Sequence, residues 1–138
     1  MKKISFVLIA LLVLVAFTGC PTAHKDAEWS ILTPGYVSGS ITAWEQSAAT
    51  KINWVIGAGT AEGSIDFTVT DPSTQNEFKV CDADWQNEYS GSLIVGAEYA
   101  DLTSPAAGNG TITGLVAGDY TFMLQSDSST VKAKIVKK

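Results

Sequence analysis

Between Gly63 and Pro72 the chain reads Gly-Ser-Ile-Asp-Phe-Thr-Val-Thr-Asp-Pro, with Ile65, Phe67 and Val69 alternating against Asp66, Thr68 and Thr70. A period of two places one set on a buried face and the other in water, which is the pattern of a half-buried β-strand and not of a helix. The Asp71-Pro72 pair ends the run, because proline cannot donate to a ladder. The same alternation returns in Tyr120, Phe122 and Leu124 against Thr121, Met123 and Gln125. It returns again in Val131-Lys132-Ala133-Lys134-Ile135, where outward lysines would also guard an edge strand against unwanted pairing.

Six further segments read as strands: Glu28 to Leu32, Tyr36 to Trp44, Lys51 to Ile56, Glu77 to Asp82, Ser92 to Tyr99 and Thr111 to Leu115. Turn chemistry separates them at Thr33-Pro34-Gly35, Gly57-Ala58-Gly59, Asp71-Pro72-Ser73, Gly108-Asn109-Gly110 and Ala117-Gly118-Asp119. From Glu28 onward no window of helical length carries apolar residues at i, i+3, i+4 and i+7. Trp44 to Ala49 is the one place where a short helical turn competes with strand. Eight or nine short strands without helices between them predict an all-β domain, an antiparallel, jelly-roll-like β-sandwich, over residues 28–138.

The 138 residues suffice for one such domain behind a short leader, and a body of that size buries enough apolar surface to fold without disulfides. The formal charge is −5 and there is no arginine. Phosphate backbones and base edges are gripped by clustered Lys and Arg, so the composition argues against nucleic acid as a partner. A net-negative body is also repelled by anionic lipid, and a stable hold on a membrane then needs a covalent anchor or an apolar segment.

The N-terminus offers such an anchor. Met1-Lys2-Lys3 is followed by an apolar run, Ile4 to Phe17, broken only by Ser5. It is shorter than the roughly 17 to 25 residues of a spanning helix and matches the apolar region of a secretory signal. Its end, Phe17-Thr18-Gly19-Cys20, resembles the lipobox of bacterial lipoproteins, with Phe17 in the place that is most often Leu. That resemblance implies a signal peptide over residues 1–19, expected as an N-terminal helix, and diacylglycerol on the thiol of Cys20. Residues 20–27 follow as a lipidated tether, and the exported body sits on the inner or outer membrane of a cell envelope. Two or three acyl chains, at about 0.8 kcal/mol per buried methylene, make a firm anchor where one chain is marginal.

Further along, Gly63 to Pro72 together with Gly114-Leu115-Val116-Ala117-Gly118-Asp119-Tyr120-Thr121-Phe122 resembles the small sandwiches of the bacterial pre-peptidase C-terminal and GOLD-like type. The resemblance rests on turn-and-strand grammar. It implies a non-catalytic accessory or binding domain and transfers no site residues.

Side chains that could carry chemistry are few. His24, the one histidine, lies in the tether, where it cannot be held against a nucleophile as a triad requires. With Cys20 lipidated, one Cys and one His remain, too few for a zinc site, and no cofactor is implied. Cys81 then lacks a partner, and burial as a small hydrophobe is the simplest expectation for it. Asp82-Ala83-Asp84-Trp85-Gln86-Asn87-Glu88-Tyr89 is the densest polar stretch. Asp82, Asp84 and Glu88 could offer oxygen ligands to calcium, although the spacing is not that of an EF-hand. A solvated acidic loop is the alternative. Among the aromatics, Trp54 shares parity with Ile52 and Ile56 and is expected in the core, and Trp29 lies beside the tether near the membrane interface. Trp44, Trp85 and Tyr89, with Asn87, are the candidates for an exposed ligand-binding platform, since a large aromatic outside the core commonly marks a contact surface. The expectation is a lipid-anchored, non-catalytic binding or interaction module whose partner is an envelope protein or a glycan. A carbohydrate-binding module and a structural subunit of an envelope complex are the alternatives.

Overall fold

The computed structural model of the chain describes residues 31–138. The signal peptide, Cys20, the tether with His24, and Trp29 lie outside the described residues. Ten strands form two sheets that pack into the expected all-β sandwich. The strands are β1 (Tyr36–Ser38), β2 (Asn53–Ile56), β3 (Ala61–Val69), β4 (Glu77–Cys81), β5 (Glu88–Tyr89), β6 (Ser92–Ile94), β7 (Ala100–Leu102), β8 (Gly110–Thr113), β9 (Gly118–Ser126) and β10 (Val131–Lys137). One sheet runs β1-β4-β8-β6, with β5 also paired to β4; the other runs β2-β3-β9-β10-β7.

The long alternating strands form the centre of the second sheet, where Ile65 opposes Phe122 and Phe122 opposes Ile135. Their inward residues meet Val37, Phe78, Val80, Leu93 and Ile112 of the first sheet in a single core. Phe78 and Phe122 touch edge-on across it at 5.2 Å, while Phe67 and Tyr120 stack at 5.5 Å within one sheet. Each such side chain contributes about 1.5 to 3 kcal/mol by leaving water. Gly63 belongs to the same inward face, and a Cβ there would stand 2.5 Å from Ile52 and 2.9 Å from the Trp54 ring. Trp54 therefore lies across Gly63, half-buried against the rim of the core, and its indole N–H donates to the carbonyl of Pro34 at 2.8 Å.

The motif that enters β9 has a specific job. The wholly buried Tyr120 turns its hydroxyl back four residues, donating to the Val116 carbonyl (2.8 Å) and accepting from the Val116 N–H (3.0 Å). The contact has the form of a tyrosine corner, a tyrosine hydroxyl bonded to backbone a few residues upstream of its strand. The Leu115 to Tyr120 stretch thus closes its own loop through a side-chain to backbone contact.

Several expectations change. The pair β6 with β8 is parallel, and Val95 makes a parallel bridge to Ile135, so the sheets are not purely antiparallel. Strand β10 is flanked by β9 and β7 and is no edge; its outward Lys132 pairs with Asp101 of β7, and Lys134 lies over the Tyr99 ring. The segment from Tyr36 leaves strand after Ser38 and turns through a short 3-10 helix at Ser40–Thr42, ahead of the Trp44 to Ala49 stretch. Ile31 and Leu32 form no strand, and Leu32 instead donates to the Asp127 carbonyl. Ile56, on the face expected to be core, is 62% exposed at the edge of the second sheet, although Ala61 opposite it is buried. The short strands β5 and β7 have too few residues to show an alternation.

Candidate functional site

Two loops meet on the outer side of β1 and β4. The first leaves β1 at Gly39, whose Cα sits so close to β4 that a Cβ would be 2.1 Å from the Glu77 carbonyl. Ser40 fastens the loop there, its hydroxyl accepting from the N–H groups of Asn76 and Glu77 at 3.0 and 2.9 Å. After the 3-10 turn, Ala43 and Trp44 both adopt left-handed backbone, at φ 53° and 58°. Trp44 N–H closes the loop on the Gly39 carbonyl at 2.7 Å, and its side chain is 41% exposed.

The second loop joins β4 to β5. Asp82 N–H donates to the Asn87 carbonyl, and Trp85 N–H donates to the Asp82 carbonyl, which makes a four-residue turn. Trp85, the last residue of that turn, itself adopts left-handed backbone, with φ 58°. Glycine or asparagine normally occupies such a site, and a bulky residue there costs about 1 to 3 kcal/mol. Trp85 is nonetheless present and 37% exposed. Gln46 ties the loops together, its amide N–H group donating to the Asp82 carbonyl at 3.0 Å and to Cys81 Sγ at 3.4 Å. Trp44 and Trp85 therefore stand two and three residues from a single hydrogen bond.

The remaining candidates divide. Asn87 is at this face, its amide donating to the Asp82 carboxylate. Tyr89 is not: it is 9% exposed and belongs to the core, and burial raises its phenol above the usual range. Its place on β5 opposite Val80 turns the ring inward. The calcium grouping also dissolves. Glu88 lies on β5 with its carboxylate on Lys79 at 2.9 Å, and Asp82 is held by Asn87. Asp84 accepts from the Gln86 N–H, and no group of three His, Cys, Asp or Glu among the described residues is arranged to hold a metal. Cys81 is a buried thiol beneath Gln46, and burial raises its pKa above the ordinary value, so the nucleophilic thiolate is suppressed.

What the sequence reading missed is Gln46, the residue that joins the two loops. A glutamine in a polar stretch carries no signal of its own, since its role exists only once β1 and β4 are paired. A separate cleft of about 210 Å³ lies between Glu62 and Gln125 on one wall and Asp127 and Lys132 on another. Its carboxylates are engaged internally, Glu62 with the Gln125 amide and Asp127 with its own turn.

No family model, no curated protein and no solved structure matches this chain.

Proposed function

We propose that the protein is a lipid-anchored binding module of the cell envelope, held by lipidated Cys20 and acting without catalysis, with Trp44 and Trp85 as its contact face. The observation that carries the reading is the pair of exposed indoles on left-handed backbone. Local strain of that kind persists where the surrounding structure imposes it, and it gathers at functional sites. Asp82, beside the indoles, accepts from the Asn87 amide, a bond that orders the loop and sets up no proton-transfer pair. The first 20 residues supply the anchor through their lipobox resemblance. Anchoring would hold the face at a surface, raising its effective concentration for partners there.

A glycan is the second reading, favoured by the Asn87 amide and the Asp82 and Asp84 carboxylates beside the indoles. Indole faces stack on the apolar faces of sugar rings, and carboxylate and amide groups bond their hydroxyls.

The test is Trp85→Gly. Glycine suits the backbone at position 85, so the thermal midpoint is expected to hold or rise while retention on an immobilised envelope polysaccharide falls at least tenfold. Unchanged retention by both Trp85→Gly and Trp44→Ala removes the glycan reading. If neither variant loses binding to solubilised envelope proteins as well, the aromatic face has no binding role.

A further inference from the structure

We propose that β2 is a self-association edge, through which two copies of the chain join their second sheets antiparallel across a two-fold axis at Val55. The hairpin ladder fixes the geometry. Gly57 N–H bonds to the Thr60 carbonyl, and Asn53 and Val55 stand opposite Ser64 and Glu62. Alternation in an antiparallel pair then aims the backbone N–H and C=O of Trp54 and Ile56 away from β3. The N–H of Ile52, two residues earlier, points the same way and meets the Gly35 carbonyl. Beyond it the incoming chain diverges, since Leu32 bonds to Asp127, and no backbone partner for Trp54 or Ile56 on that side occurs among the described residues.

The other flanks are sealed. Val37 N–H reaches the Thr50 carbonyl at the β1 side, and Gly96 N–H reaches Ile135 at the β6 side. At the far edge of the second sheet, β7 carries the Asp101–Lys132 ion pair. Strand β2 is short, but Asn53-Trp54-Val55-Ile56 contains no charge and no proline, and Val55 and Ile56 are 74% and 62% exposed.

Charge selects a second copy as the occupant. The chain is net negative, so most of its surface repels another copy, whereas Asn53 to Ala61 carries no ionisable side chain and meets its own image without like-charge contact. The arrangement is also self-complementary. With Val55 opposite Val55 of the second copy, Trp54 of each chain exchanges both backbone bonds with Ile56 of the other, giving four hydrogen bonds around a closely spaced Val–Val pair.

The inference is independent of the aromatic face, and its test uses the full chain in membranes. Val55→Cys is oxidised under mild conditions, with the unsubstituted chain as control for Cys20 and Cys81, and Asp101→Cys as control for the opposite edge. A disulfide dimer of twice the monomer mass is expected from Val55→Cys alone. Val55→Lys, which sets two ammonium groups face to face, is expected to shift the detergent-extracted protein to monomer in sedimentation. A monomeric Val55→Cys protein, equal cross-linking through Asp101→Cys, or a cross-link to a different protein each overturns the proposal.

Discussion

Trp85 sits on left-handed backbone, which a residue without a Cβ adopts without strain, so an indole there carries a conformational cost. Asp127 is the opposite case, a side chain whose whole effect is local order. Its carboxylate accepts from the N–H groups of Ser129 and Thr130 and from both hydroxyls, and these bonds hold its pKa down to about 2, against an ordinary 3.8. A depressed folded pKa stabilises above the ordinary value and loses that contribution as pH falls from about 4 through about 2. Asp127→Asn is therefore expected to lower the thermal midpoint at pH 7 and to lose less stability than the unsubstituted protein between pH 4 and pH 2. Parallel pH profiles for the two proteins would contradict this. Exposed Trp44 and Trp85 were legible in the sequence from parity and from the acidic loop. Tyr89 was not, because a two-residue strand has no periodicity to reveal which way its ring faces.

At the scale of elements, the turn before β9 shows how a short motif ties a loop to the strand it enters. Tyr120→Phe keeps the ring stack with Phe67 and leaves the N–H and C=O of Val116 without their partner. A loss of about 0.5 to 1.5 kcal/mol in urea unfolding is expected, the net worth of a hydrogen bond at a half-exposed loop. A loss well below that range would mean that water replaces the hydroxyl and that the corner is not what fixes the loop. The long strands β3, β9 and β10 were readable residue by residue, since nine or seven alternating positions give a clear period. The lysines of β10 illustrate the limit of that reading. Outward lysine is compatible with an edge and with a solvent-facing interior strand, and only the pairing with β7 shows which holds.

For the molecule as a whole, the anchor proposal makes its own prediction: the mature chain from the membrane fraction begins at Cys20 and carries the added mass of its acyl chains. An intact N-terminus or an unmodified Cys20 in mass spectrometry would remove the lipid anchor, and the aromatic face and the β2 edge would stand as separate questions. The all-β class, the places of most turns and the inward residues of the long strands follow from the sequence by itself, because strand periodicity and turn chemistry are properties of neighbours along the chain. The parallel β6–β8 pair, the core position of Tyr89, the dispersal of Asp82, Asp84 and Glu88, and the Gln46 bond that joins the two tryptophan loops were decided only by the tertiary structure. Each depends on which distant segments pair, and pairing is settled by the summed burial of the whole core, which no local stretch encodes.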